Sequence, residues 1–252
     1  MRLFDCHVHI FPEKIAPQTV AFLGEKGGVD PVYDGTRAGL QRCLSAAGID
    51  GALNCPIATR PSQTASINRW AAANNRWPIL SLGTVHPDCP DPVRVLRDVS
   101  AAGLPGIKLH PEYQEFHLLE QRMSERGLLV MLHAGADIGF PPPYHSDPAA
   151  VAALLDAVPG LTLVAAHFGG WKMWDAVEEN LLGREVFLDL SYVFGLVPDA
   201  LLVRLVRRHG ADRVLFGSDA PWRDPARDVE RLHAAGFSEA ERQLLCWENA
   251  AR

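Results

Sequence analysis

The 252-residue chain predicts an α/β fold: a single (β/α)8 barrel, residues 1–252, with an extra C-terminal helix. Three observations predict it. Short β-rich runs alternate with helical stretches down the whole chain, the rhythm of parallel strands joined by crossover helices. The runs number about eight, as a closed barrel of this type requires. The length suits one large α/β domain and leaves little room for a second.

The strand-like runs, in order, are Leu3 to His9, Gly51 to Pro56, Ile79 to His86, Gly106 to His110, Leu128 to His133, Leu161 to His167, Val186 to Ser191 and Arg213 to Asp219. Helical spacing fills the intervals. Ser62 precedes Thr64 to Asn75, and Asp147-Pro148 precedes Ala149 to Val158, with Asp as cap and Pro in the first turn. Gly48, Gly103, Gly127, Gly210 and Gly236 each follow a helical run, where a left-handed terminating residue is wanted. Two connections exceed the usual few residues, Ile10 to Asp34 and Ala134 to Ser146, and both are expected over the mouth of the barrel. Ser238 to Arg252 reads as the added helix, with Ser238 as cap and Leu244, Leu245 and Trp247 as the apolar side that packs on the barrel's outside.

Composition removes several classes of function. Apolar residues make up 48% of the chain and charged residues 21%, ample for a packed core and unlike a disordered chain. The formal charge of −6, with both signs interspersed, leaves no basic stripe to neutralise a phosphate backbone, so no nucleic-acid partner is expected. Five cysteines without C-x-x-C spacing argue for reduced, mostly buried thiols rather than a disulfide framework or a cysteine zinc site. The chain runs straight into an apolar segment at Leu3, with no signal-peptide pattern, and its apolar runs fall short of a membrane span. A cytoplasmic protein without membrane contact is the expectation. The expected partners are a small-molecule substrate and, for assembly, a second copy of the chain.

In such a barrel the βα loops at the carboxyl ends of the strands surround the open pocket, so position becomes evidence. His7, His9, His86, His110, His133 and His167 fall at predicted strand ends, and Asp219 ends the eighth. One residue separates His7 from His9, so on a strand both face the same way, with Phe4, Cys6 and Val8 expected to face the helices. An H-x-H pair satisfied by backbone carbonyls would look the same. His133 and His167, taken singly, also read as hydrogen-bonded core histidines. Asp219 follows an apolar run, where a carboxylate is costly unless paired, hydrated or on a metal; its alternative is a cap for the turn at Pro221. Together these groups supply the nitrogen and oxygen ligands that zinc and similar divalent ions take at about 2 Å.

The motifs "DCHVHI" (Asp5 to Ile10), "GIKLHPEYQ" (Gly106 to Gln114), "LHAG" (Leu132 to Gly135), "AHFGG" (Ala166 to Gly170) and "LFGSDAPW" (Leu215 to Trp222) occur in this order across nearly the whole chain. The sequence thereby resembles the amidohydrolase superfamily, in the amidohydrolase-related branch that includes aminocarboxymuconate-semialdehyde decarboxylase. The resemblance implies that His7, His9, His133 and Asp219 hold one divalent metal, usually zinc, and that His167 orients the attacking water. Superfamily members such as dihydroorotases hold two metals bridged by a carboxylated lysine. Lys108 sits in that register, and in a two-metal version His133 and His167 would share the second ion. The alternative for Lys108 is an ammonium that binds an anionic substrate. His110, two residues on, shares its face and could touch metal or substrate.

These groups predict a metal-dependent hydrolase. A divalent ion brings the pKa of its water down to about 7, and Asp219 can take the water's proton and pass it to the leaving group. Phe11, Arg60, Tyr144, Trp171, Tyr192, Trp222 and Arg223 follow strand ends and could line the mouth. Lys108, His110, Arg60 and Trp222 are the candidates for substrate contact, and cations there suit a small carboxylate-bearing amide, lactone or ester. The rival reading within the branch is non-oxidative decarboxylation of an unsaturated or aromatic acid. A rival from another class is a non-catalytic metal-binding barrel. No G-x-G-x-x-G follows the first strand, which disfavours a dinucleotide oxidoreductase. His86, His117, His145, His209 and His233 are expected to be structural or at the surface, with His86 and His145 near enough in register to approach the pocket.

Overall fold

A computed structural model describes residues 1–113 and 127–252; His117 and Gln114 lie outside the described residues. Every predicted strand is present, each shorter than expected. β1 is Phe4–Val8, β2 Gly51–Asn54, β5 Gly106–Leu109, β6 Leu129–Leu132, β7 Leu163–Ala165, β8 Phe187–Asp189 and β9 Val214–Leu215. The third run is interrupted at Leu82 into β3 (Ile79–Ser81) and β4 (Gly83–Thr84). All pairings are parallel, in the orders β1-β2-β3 and β4-β5-β6-β7-β8-β9.

Backbone hydrogen bonds join the two sheets at both ends. Leu82 N–H donates to the Asn54 carbonyl at 3.0 Å across the interruption. On the other side Cys6 N–H donates to Phe216 O (2.9 Å), Asp219 N–H to His7 O (2.8 Å) and His9 N–H to Ala220 O (2.7 Å). First and last strands therefore meet, and the fold is the expected (β/α)8 arrangement. Gly106 lets β5 approach β6 closely, because a Cβ there would lie 2.0 Å from the Leu129 carbonyl oxygen.

The apolar interior divides in two. Cys6, Leu53, Cys55, Leu82, Met131, Val164, Ala166 and Leu215 form one buried cluster drawn only from strands and their immediate extensions, which is the barrel's inside. A second, larger cluster joins the outer strand faces, including Val8, Ile107, Leu109, Val130 and Leu188, to the helices. The expectation that Phe4 and Cys6 face the helices is thus corrected: both belong with the inner cluster, and only Val8 packs outward. The β1–β2 register shifts between Asp5 and Val8, and this irregularity breaks the strict alternation on which the expectation rested.

Among the described residues the helices are α1 (Ala16–Gly27), α2 (Arg37–Ala47), α3 (Thr64–Asn74), α4 (Pro92–Ala101), α5 (Pro148–Ala157), α6 (Trp174–Asn180), α7 (Asp199–His209), α8 (Pro225–Ala234) and α9 (Glu239–Gln243). Asp147 caps α5 as predicted, accepting from Ala150 N–H at 2.7 Å. The long connection after β1 contains α1, which the sequence conceals: it has no side-chain N-cap and buries only a stripe of Ala16, Val20 and Gly24. Ser238 caps the C-terminal helix in a capping box with Glu241, but after α9 the turn widens to a π-helix at Leu244–Glu248. This tail reaches β9: Leu245 O accepts from Phe216 N–H, and Asn249 Nδ2 donates to Ala211 O (2.8 Å) and Val214 O (2.7 Å). No helix among the described residues is long and apolar enough to cross a membrane.

Two measurements check this packing. Asn249→Ala leaves one buried and one part-buried carbonyl without their donor and is expected to lower stability by about 1–3 kcal/mol in denaturant unfolding, with the native circular dichroism spectrum retained. All five cysteines are free, and burial pushes Cys55 and Cys246 up to about 12 and Cys43 to about 11. Thiol titration at pH 7.5 is therefore expected to be slow in the native chain and to proceed rapidly to all five groups in denaturant.

Candidate metal centre

The joined ends of the sheet carry the first cluster. Asp219 Oδ1 lies 3.0 Å from His9 Nε2 and 3.5 Å from His7 Nε2, and the three ligand atoms all lie within 4.8 Å of one another. Two features place them. The β1 irregularity turns both histidines toward the mouth, and Asp219 adopts a left-handed backbone (φ 69°) that redirects its carboxylate from the end of β9. Beneath them Asp5, fully buried, accepts from Ser218 Oγ (2.5 Å), Ser218 N–H and His7 N–H, stitching β1 to the segment before Asp219. Burial raises its carboxyl to about 7.

Asp189 at the end of β8 organises the imidazoles. Its Oδ2 lies 2.8 Å from His7 Nδ1, while Oδ1 accepts from His167 N–H, Ser191 N–H and Ser191 Oγ. Burial opposes ionisation of Asp189, yet its interactions with the neighbouring His7 and His167 and these hydrogen bonds hold its carboxyl well below the usual range. His7 therefore carries its hydrogen on Nδ1, and its Nε2 lone pair faces Asp219 and the buried Lys108 Nζ at 3.0 Å. Burial, reinforced by the Lys108 charge, lowers His7 to about 4, leaving it neutral at pH 7. Burial alone would raise Asp219, but His9 and the other imidazoles hold it down at about 2. Two imidazoles and an ionised carboxylate meeting at one point form a donor set suited to a divalent cation.

His133 joins a different set. Its Nδ1 lies 3.1 Å from His167 Nε2, and its Nε2 faces Ala136 O (3.3 Å) and Asp137 Oδ2 (3.7 Å). His110 stacks on His133 with ring centroids 4.2 Å apart and planes 8° from parallel, and also reaches Asp137. The structure thus brings His7, His9 and Asp219 together, sets His167 against His7 at 5.3 Å between centroids, and places His133 beyond His167. Burial keeps both His110 and His133 below their ordinary values. Gly135 (φ 87°) permits this crowding, since a Cβ there would lie 2.2 Å from Trp171 N.

The remaining predicted contacts divide. Trp222 and Arg223 line a cavity of about 330 Å³ with Phe194 and Asp228, and Arg223 is fixed by Asp228 Oδ1 (2.9 Å) and Phe194 O (2.7 Å). Arg60 is exposed, at the start of a 3-10 turn, with its backbone N–H on Gln63 Oε1. Trp171 and Tyr192 pack edge to face at 5.7 Å. His209 is structural, bonding Val186 O at 2.9 Å, and His145 pairs with Glu112 at 3.0 Å. Phe11 and Tyr144 are half-buried. Sequence reasoning missed Asp5, Asp137, Asp189 and Ser191. A signal existed for Asp189: a carboxylate centred in the apolar run Val186 to Leu190 is costly unless it is given donors.

The sequence matches no curated protein. Among solved structures, an uncharacterized TIM-barrel protein from Bordetella bronchiseptica is similar over 99% of this chain and 97% of its own, with a TM-score of 0.78 at 15% identity. A putative 2-pyrone-4,6-dicarboxylic acid hydrolase from Pseudomonas putida follows at 0.69 and 21% identity, covering 99% and 96%. A dihydroxybenzoic acid decarboxylase from Polaromonas sp. JS666, solved with bound manganese, scores 0.69 at 16% identity over 99% and 95%. At these identities the likenesses establish the fold. The sequence model of the amidohydrolase family matches residues 4–252, so it takes in every strand of the barrel and every residue gathered at its mouth: the chain belongs to the amidohydrolase family.

Proposed function

We propose that this protein is a metal-dependent hydrolase of a small carboxylate-bearing amide, lactone or ester. The observation that carries the reading is the meeting of His7 Nε2, His9 Nε2 and Asp219 Oδ1 within 4.8 Å at the mouth of the barrel. Ligands about 2 Å from a tetrahedral ion stand roughly 3.3 Å apart, close to the 3.0 and 3.5 Å separations around Asp219 Oδ1. Zinc is the ion proposed, on nitrogen and oxygen donors, with His133 and His167 as the further candidate ligands from the neighbouring strand ends.

A divalent ion there supplies a water acidic enough to act near neutral pH. The chain's own groups supply the rest. Asp189 holds His7 in the tautomer whose Nε2 is free to ligate. Asp219 serves as the proton carrier, accepting a proton from water and returning it to the leaving group. His167, with Nδ1 fixed on Ser191, presents Nε2 toward the pocket side of His133 and orients the reacting oxygen. Lys108, whose ammonium would compete with an ion for His7 Nε2, is suited to move onto a substrate carboxylate or, after losing a proton and adding carbon dioxide, to hold the ion as a carbamate. Among the other expected contacts, Trp222 lines the cavity beside Arg223 and gives its backbone N–H to Asp219 O at 2.9 Å, and His110 stacks on His133. The hydrolase and decarboxylase similarities both fit a carboxylate-bearing substrate.

Turnover of a panel of cyclic and aromatic carboxylic acids, esters and lactones in H2 18O tests the reading. Incorporation of one labelled oxygen into product is expected. Carbon dioxide release without label would establish decarboxylation instead. Asp219→Asn is expected to retain most of the metal and to lose on the order of 10²–10⁴ in kcat; a variant with wild-type turnover removes Asp219 from the chemistry. Asp189→Ala, which frees the His7 ring without touching a ligand atom, is expected to weaken metal binding by about 10–100-fold in a chelator competition.

A further inference from the structure

The strand β1 ends at Val8, one residue before His9. His9 N–H still finds an acceptor across the closure of the barrel, the Ala220 carbonyl at 2.7 Å. Its own carbonyl has no such partner: among the described residues no backbone N–H is given to His9 O. The donor there is a side chain, the Tyr33 hydroxyl, at 2.6 Å. The same hydroxyl lies 3.2 Å from Ala220 O. A phenol has one hydrogen, so the shorter bond to His9 O takes most of it, and Ala220 O, which already holds His9 N–H, receives the weaker share.

Tyr33 is itself fixed in place. Its ring packs against the larger core cluster, and α2 comes so near that a Cβ at Gly39 would lie 3.2 Å from Tyr33 Cδ2. One residue earlier, Val32 N–H donates to Pro221 O at 2.9 Å. The end of the long connection after β1 therefore grips the chain on both sides of the seam, at His9 and at Ala220-Pro221. From these two points project the ligand atoms His9 Nε2 and Asp219 Oδ1, 3.0 Å apart. A metal centre tolerates errors of only about 0.5 Å and 10–20° in such groups. Without the hydroxyl the part-buried His9 carbonyl would lose its donor, and the two carbonyl oxygens would face each other with no hydrogen between them.

We propose that Tyr33 is a positioning residue of the metal centre, its hydroxyl fixing the backbone that carries His9 against the turn that carries Asp219. The role rests on the metal-centre reading above. Tyr33 touches neither ligand atom and acts through the main chain at each. It lies 24 positions from His9 and 187 from Ala220, so only closure of the barrel gives its hydroxyl this task.

Cobalt titration of the metal-stripped full-length chain, read by calorimetry and by d–d absorption, tests the role in wild type, Tyr33→Phe, His9→Ala and Asn249→Ala. The last loosens the fold away from the centre. Phenylalanine keeps the ring packing, so Tyr33→Phe is expected to fold, which circular dichroism checks. It is expected to bind cobalt about 10–100-fold more weakly than wild type, with shifted d–d bands. Asn249→Ala is expected to keep the wild-type affinity and spectrum, and His9→Ala to lose the ion. Wild-type affinity and bands in Tyr33→Phe, beside a His9→Ala variant that has lost the ion, would overturn the role of Tyr33 and leave the metal centre standing. An equal loss in Tyr33→Phe and Asn249→Ala with unchanged bands would overturn it as well, since general loosening then accounts for both. A wild type that takes up no cobalt, or a His9→Ala variant that binds as wild type does, would remove the centre and the role together.

Discussion

Three backbone hydrogen bonds between β1 and the chain that follows β9 decide whether this molecule has a site at all. Asp219 stands 212 and 210 positions from its two histidines in the sequence, and only closure of the sheet brings His7, His9 and Asp219 to one point. The buried Asp5 carboxylate reinforces that seam from below, binding Ser218 and the His7 backbone together. A carboxylate in so apolar a place is tolerated because it is supplied with several donors.

Around that seam the chain arranges charge economically. Asp189 is the buried anion on which the imidazoles depend: it sets the His7 tautomer, anchors the His167 backbone and orients Ser191, which in turn sets the His167 tautomer. Lys108, 1% exposed, balances the negative charge from the opposite side of His7. Low dielectric strengthens each of these interactions, so displacing one member changes the proton placement of the others. His167 and Asp219 hold left-handed backbones at φ 57° and 69°, conformations that other contacts must sustain and that gather at functional sites.

Family membership narrows the chemistry without choosing the reaction. Similar folds include a protein described as a putative 2-pyrone-4,6-dicarboxylic acid hydrolase and one described as a dihydroxybenzoic acid decarboxylase. A shared barrel presents its strand ends to one pocket, and loops of different composition then select substrate and reaction. In this chain the loop after β6 contributes Asp137, Phe140 and the pairing of His145 with Glu112, and it stands directly over the His110–His133 stack.

The sequence by itself determined the eight-run rhythm of strands and helices, the capping of α5 by Asp147, and the gathering of His7, His9, His133, His167 and Asp219 at strand ends. These are legible because periodicity, caps and an ionisable group in an apolar run are local properties with local costs. Tertiary structure decided the rest. The register shift in β1 reversed the facing of Phe4 and Cys6, and an uncapped helix with a narrow apolar stripe hid in the first long connection. Which imidazole shares a carboxylate with which was settled by the spatial order of strand ends and by the backbone turns at His167 and Asp219. The turn at Asp219 depends on hydrogen bonds to residues more than 200 positions away and the turn at His167 on bonds to Asp189 and Ser191, more than 20 positions on, and no local pattern records them.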